Sequence, residues 1–143
     1  MFGSGPRQSM ATILCIDDDR RILETNRALL SQKGHTVLIA SDGTTGIALA
    51  RQHGVDLAVL DFNMPVMDGN EVAQVLMKEN PKLPVVILTG YPYELHESLK
   101  WCADAVLEKG HGPEALLSTV EKLVSKKKPP ARSATRTSER ISA

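Results

Sequence analysis

The sequence predicts a doubly wound α/β domain with a five-stranded parallel sheet and five helices, and three observations predict it. Five short apolar runs, Thr12–Ile16, Thr36–Ala40, Leu57–Leu60, Val85–Leu88 and a weaker one at Ala103–Leu107, lack the polar alternation of a half-exposed strand. Strands that are apolar throughout are covered on both faces, as in a parallel sheet. Helix-period segments alternate with them, which calls for crossover connections. Polar residues close the runs: Asp17-Asp18-Asp19, Asp61, Thr89 and Glu108-Lys109.

The elements follow in order. Met1–Met10, with Gly3, Ser4, Gly5 and Pro6, has no periodicity and reads as a flexible extension. The first strand, which carries Cys15 as a small core residue, is followed by a helix over Arg20–Lys33. There Ile22, Asn26, Leu29 and Leu30 recur at helical spacing beside Leu23, and Gly34 supplies the stop. After the second strand, Asp42-Gly43 turns the chain, and Thr44 or Thr45 is the expected cap of a helix ending about His53. The third strand ends at Asp61, and Asp68 with Glu71 forms a capping-box pattern ahead of Val72, Val75 and Leu76. Pro81 and Pro84 bracket the return to the fourth strand. Tyr91–Trp101 suggests a short fourth helix, and Pro113 opens a fifth with Leu116, Leu117, Val120, Leu123 and Val124 on one face.

These elements occupy residues 11–125, the size of one domain. The chain of 143 residues has no net charge, yet residues 126–143 carry six Lys/Arg against one Glu and residues 1–10 carry Arg7, which leaves residues 11–125 at −6. The tail, with Pro-Pro and little apolar content, reads as disordered and solvated. Eighteen residues are too few for a nucleic-acid-binding domain. Two cysteines give neither a metal spacing nor a disulfide framework. No apolar run approaches the roughly 18 residues of a membrane span, so a reducing cytoplasm is the expected setting. His35, His53, His96 and His111 fall in expected loops or on polar helix positions and read as solvated. Tyr91 and Trp101 are expected to pack against the last helix.

In a parallel sheet the strand ends share one edge, where open α/β sheets bind ligands. Carboxylates crowded there repel one another, and a hard divalent cation such as Mg²⁺ resolves the repulsion. Lys109 adds a cation suited to a phosphoryl oxygen, and Thr89 adds a hydroxyl donor. No Ser or Cys stands beside a His as a nucleophile, so the candidate nucleophile is an Asp carboxylate, which can form an acyl phosphate. The set of residues describes a site that holds a phosphoryl group.

The pattern Ile-Asp17-Asp18, Leu-Asp61-x-x-Met64-Pro65-x-Met67-Asp68-Gly69, Leu-Thr89-Gly90 and Glu108-Lys109 resembles the receiver domain of two-component response regulators, over residues 11–125. The resemblance implies a flavodoxin-like, CheY-like (βα)5 fold and a stand-alone receiver. It implies that Asp61 takes a phosphoryl group from a histidine kinase or a His-phosphotransfer protein. Mg²⁺ (or Mn²⁺) is implied at Asp18 directly, at Asp17 largely through water, at Asp61 and at the backbone carbonyl of Asn63. Thr89 and Lys109 then contact the phosphoryl group. Such a protein is not an enzyme beyond slow loss of its own phosphoryl group. It signals to a protein target through the face of the fourth helix, fifth strand and fifth helix, and no membrane partner is implied.

The pattern departs from the family at two positions. Val106 stands where receivers carry Tyr or Phe, and a Val cannot swing between buried and exposed states. Gly110 replaces the Pro after the Lys, so a trans, more flexible turn is expected there, since a non-proline cis bond costs about 2.5–4 kcal/mol. These departures define an alternative: a receiver-fold binding module uncoupled from phosphorylation. An aspartate-nucleophile phosphohydrolase shares the chemistry but lacks a cap or specificity insertion.

Overall fold

A computed structural model of the chain describes residues 10–64, 66–90, 103–110 and 112–127. The apolar runs form β1 (Thr12–Ile16), β2 (Thr36–Ala40), β3 (Leu57–Asp61), β4 (Val85–Thr89) and β5 (Ala105–Glu108), one parallel sheet in the order β2-β1-β3-β4-β5. The fifth strand thus starts two residues later than expected and takes in Glu108. Among the described residues four helices connect or follow the strands: α1 (Arg20–Gln32), α2 (Gly43–Gln52), α3 (Gly69–Glu79) and α4 (Pro113–Lys127). The additional helix expected over Tyr91–Trp101 lies outside the described residues, as do Tyr91, His96, Trp101 and His111. α4 runs two residues into the segment read as the basic tail, the rest of which also lies outside.

The sheet is buried on both faces because each strand gives alternate side chains to two cores. Leu14, Ile16, Ala58, Leu60, Val85 and Ile87 face one side, with Ile47 of α2 and Val72, Ala73 and Leu76 of α3. Ile13, Cys15, Leu57, Val59, Val86 and Leu88 face the other, with Leu23 and Leu30 of α1 and Leu116, Val120 and Val124 of α4. That is the period-two geometry of a strand, applied to sequences apolar at every position. Each fully buried Leu, Ile or Val contributes roughly 1.5–3 kcal/mol relative to exposure. The scarcity of aromatic residues leaves this work to aliphatic packing, and Cys15 is an ordinary member of it.

The strand order also locates a crevice. The chain leaves β1 for β2 on one side and then crosses to β3 on the other, so β1 and β3 are neighbours in register from Ile13↔Leu57 to Ile16↔Leu60. Their C-terminal ends are the topological switch point, where the connections diverge and leave room for a ligand. Asp17 and Asp61 lie there.

Local chemistry sets the helix ends. Asp19 caps α1, its carboxylate accepting from Arg21 N at 2.9 Å. α2 is capped by Asp42, which accepts from Thr45 N at 2.7 Å, not by Thr44 or Thr45. The helix begins at Gly43, so both threonines are already inside its first turn and the extended residue before it is the aspartate. Asp68 and Glu71 form the expected capping box, with mutual bonds of 3.0 and 3.2 Å. At the opposite edge of the sheet, Asp56 accepts from Thr12 N and Asp104 from Val85 N, each at 2.8 Å, tying down strand starts.

His35 corrects the expectation of a solvated histidine: it is buried. Its Nδ1 accepts from Ala11 N at 3.1 Å, and its Nε2 lies 3.1 Å from Glu121 Oε2 on α4. Because Nδ1 accepts a backbone N–H, the proton of the neutral ring sits on Nε2 and is donated to Glu121. The groups that hold it there, Ala11 N and the Glu121 carboxylate, come from parts of the chain remote in sequence.

Gly69 fixes α3 against the end of β3. A Cβ there would lie 2.5 Å from the Asp61 carbonyl oxygen and 2.6 Å from Phe62 Cα, both backbone atoms that cannot swing aside. Gly69→Ala is therefore expected to destabilise the fold by about 1–3 kcal/mol. Urea denaturation measures it, and an unchanged midpoint would contradict the contact.

Candidate functional site: an acid cluster bridged by one lysine

Three strand ends deliver the site. β1 ends into Asp17 and Asp18, β3 ends on Asp61, and β5 is followed by Lys109. Asp17 and Asp61 are 3% and 2% exposed, while Asp18 is exposed. Lys109 Nζ lies 3.0 Å from Asp61 Oδ1 and 3.1 Å from Asp17 Oδ2, so one ammonium bridges two buried carboxylates. The other polar contacts are local. Asp61 Oδ1 accepts from Asn63 N at 3.2 Å, and Asp17 Oδ1 accepts from Asp19 N at 2.8 Å. The backbone N–H of Lys109 donates to the Thr89 carbonyl at 2.8 Å, which anchors the lysine to the end of β4. Thr89 itself is fully buried.

The electrostatics follow from that count. Burial pushes the Asp61 carboxyl up; the hydrogen bond from Lys109 works against this and the charge of Asp17 adds to it, leaving a value of about 6. Burial alone would lower Lys109, but its bonds to Asp61 and Asp17 prevail and raise it. The lysine is therefore a cation throughout the physiological range, and the excess negative charge is borne by the carboxylates.

A divalent cation fits this cluster. Asp17, Asp18 and Asp61 each offer a carboxylate oxygen, all within 4.8 Å of one another. Three carboxylates against one ammonium leave two negative charges uncompensated. Asp17 Oδ2 is buried without a directional hydrogen bond, although the Lys109 ammonium stands at ion-pair distance. Oxygen ligands of this kind suit Mg²⁺.

Asp19 does not join the cluster; its carboxylate is spent on capping α1 and on Arg21. Asp68 likewise serves its cap. Val106 is half-buried against the core on the α2–α3 side. Gly110 has φ +90°, and no cis peptide bond occurs among the described residues. A proline, locked near φ −65°, cannot take that conformation, and any residue with a Cβ is strained in it.

Neither the backbone of Val66 nor the burial of the Asn26 amide side chain was legible from spacing. Val66, five residues after the end of β3, has φ +68° and is fully exposed. Asn26 passed for a member of the apolar stripe of α1, and no sequence signal separates a buried amide from a solvated one at that position.

A switch-point aspartate, an acid pair from the neighbouring strand and a lysine from two strands away define a receiver. The family model of the response regulator receiver domain matches residues 13–121, and the chain belongs to that family. Response regulator MprA of Mycobacterium leprae is 35% identical over 119 residues, which are 82% of this chain and 52% of the relative. The chain spans about half the length of the curated relatives it matches. Among solved structures, a receiver domain protein from Clostridium thermocellum superposes with a TM-score of 0.75 at 29% identity, covering 82% of this chain and 96% of that one. The response regulator TrrA of Thermotoga maritima, solved in complex with Mg²⁺ and BeF, gives 0.75 at 29% identity, over 80% and 99%.

The Asp61 shift has a consequence for stability in the absence of metal. The folded state holds the proton up to about pH 6, whereas its ordinary value is 3.8. This contribution is fully present below the ordinary value and is lost as pH rises through the folded one. Asp61→Asn, which cannot ionise, is expected to be more stable than the wild type at pH 7 by roughly 1–3 kcal/mol, with the gap closing in acid below the ordinary value. Thermal melts of both proteins across that range, in chelator, measure it; a gap that widens in acid would refute the assignment.

Proposed function

We propose that the chain accepts a phosphoryl group on Asp61 from a histidine kinase or a His-phosphotransfer protein, and signals by phosphorylation-dependent contact with a partner protein. The single observation that carries this reading is the Lys109 ammonium bridging Asp61 and Asp17 at the switch point. It gives a carboxylate nucleophile and a cation in one buried cluster.

Asp61 is the nucleophile: its carboxylate oxygen forms a bond to phosphorus as the phosphorus–nitrogen bond of the donor breaks, and the imidazole leaves with the electron pair. The product is an acyl phosphate. Lys109 exchanges carboxylate partners for a phosphoryl oxygen, a move of its flexible stem with its backbone still tied to Thr89. Thr89 supplies a hydroxyl donor to the phosphoryl group. Mg²⁺ (or Mn²⁺), held by Asp17, Asp18, Asp61 and the Asn63 carbonyl, would neutralise phosphoryl charge. Fixed cations are what this reaction requires, since its transition state spreads charge over oxygens and makes little demand for acid–base chemistry. No further catalytic group is proposed, so the chain is a carrier with slow self-dephosphorylation and not a metabolic enzyme.

The downstream contact is assigned to the face that includes β5 and α4. With Val106 in the aromatic position, that face is read through backbone and Lys109 movement and not through a swinging ring.

With acetyl phosphate and Mg²⁺, the protein is expected to gain the mass of one phosphoryl group. Asp61→Asn should abolish the gain, and Lys109→Ala should slow it by about 10²-fold. Wild-type protein that stays unmodified with Mg²⁺, and shows no Mg²⁺-dependent change in amide spectra with beryllofluoride, would refute the reading.

A further inference from the structure

Charge is segregated along the direction of the strands. At the edge where strands end and helices begin, nine carboxylates face three cations among the described residues. Asp18, Asp42, Glu71 and Glu114 are exposed there, around the buried Asp17 and Asp61. At the opposite edge, where the helices end, six cations face three carboxylates among the described residues, and Lys33, Arg51, Lys78 and Lys82 are exposed. The two edges stand a helix length apart, about 20 Å. That is more than twice the Debye length of about 8 Å at physiological salt. Neither edge cancels the other, although the whole chain is neutral.

α4 starts four residues after Lys109 and ends at Lys127, on the basic edge. The sixteen residues that follow in the sequence carry Lys128, Arg132, Arg136 and Arg140 against Glu139. This segment is therefore attached at the edge that repels it, within reach of the edge that attracts it. A flexible chain of that length averages roughly 20–24 Å end to end, and α4 is about 22 Å long. A tether whose average span matches the separation gives the highest effective concentration.

We propose that residues 128–143 return to the acidic edge and set a guanidinium at the mouth of the acid cluster, beside Asp18, in competition with a divalent cation. The cluster keeps two negative charges uncompensated, with Asp17 Oδ2 short of a hydrogen bond, so it draws a cation of either kind. Exposed ion pairs are weak, each worth at most about fivefold in an equilibrium constant. The segment thus weakens metal binding without preventing it, an internal brake on loading of the site. Its effect on phosphoryl transfer rests on Asp61 as phosphoacceptor; the contact itself does not.

The full chain is compared with its Arg132→Gln, Arg136→Gln, Arg140→Gln triple variant by amide-resolved NMR, in chelator at physiological ionic strength. The backbone amides of Asp18 and Glu114 are expected to differ between the two. The difference should vanish in about 0.5 M NaCl, where screening shortens to roughly 4 Å. Titrated Mg²⁺ should bind the variant about threefold more tightly, with equal affinities at the higher salt. Lys33→Gln, Lys78→Gln, Lys82→Gln removes the same charge from the basic edge and is expected to leave Asp18, Glu114 and the Mg²⁺ affinity unchanged. Identical Asp18 amides in the chain and its tail variant, or equal Mg²⁺ affinities, would overturn the proposal. So would a matching effect of the basic-edge variant, which would assign it to net charge, or shifts that grow with protein concentration, which would assign the contact to a neighbouring copy. A wild type that binds no Mg²⁺ would count against the metal site alone, because the comparison in chelator still decides the contact.

Discussion

Two buried carboxylates sharing one ammonium constitute the interaction on which the site depends. At about 3 Å separation in a protein interior, each such contact is worth several times its strength in water, and so is the repulsion between the carboxylates. The lysine cannot neutralise both. The cluster is thus held in a state of partial compensation, with Asp61 pushed up to about 6 and Asp17 Oδ2 short of a directional partner. A site satisfied internally would have no affinity left for an added cation or a phosphoryl group. The residual charge is what makes it receptive.

The geometry of the sheet makes the arrangement possible. Strands lie about 4.8 Å apart, so the start of Lys109 after β5 stands two strands from β3 and three from β1. Only a long, flexible side chain spans that distance, and it must pass over the end of β4, where the small Thr89 stands. The Thr89 carbonyl anchors the lysine backbone while the stem reaches across. On the other side, Gly69 brings α3 against the Asp61 carbonyl, and the Asp68–Glu71 box fixes where that helix begins. The loop between Asp61 and α3 is therefore pinned at both ends. Val66 bears the resulting strain: a β-branched residue in the left-handed region, which costs on the order of 1–2 kcal/mol, with no packing in return.

Much of this was legible in the sequence because the relevant signals are local. Uninterrupted apolar runs gave the central strands within a residue or so, since nothing but a doubly covered sheet accommodates Leu57–Leu60. Asp68 and Glu71 gave the α3 start because a capping box is a four-residue affair. The acid cluster was readable because each member ends a strand and parallel strand ends share one edge. What was not legible depends on contacts remote in the chain. His35 is buried by Ala11 and Glu121, 24 and 86 residues away, and its neighbours in sequence give no hint of that. Asp42 displaced the threonines because cap choice turns on where the first helical residue falls, a matter of one position. Asn26 looked like part of a stripe because spacing says which face a residue occupies and not whether a partner waits there.

The two departures at Val106 and Gly110 belong to one argument about Lys109. Val106 lies in β5 and Gly110 directly after Lys109, so both border the segment that carries the lysine. Val106 faces the core on the α2–α3 side, where a branched aliphatic side chain has no second resting place. Gly110, at φ +90°, gives the turn after Lys109 a conformation that proline cannot adopt, and the α1–α4 groove lies along that same turn. The lysine thus has space beside it on the face of the sheet opposite Val106. In a close-packed protein, a displacement goes where there is volume to receive it. The groove beside Lys109 provides such volume.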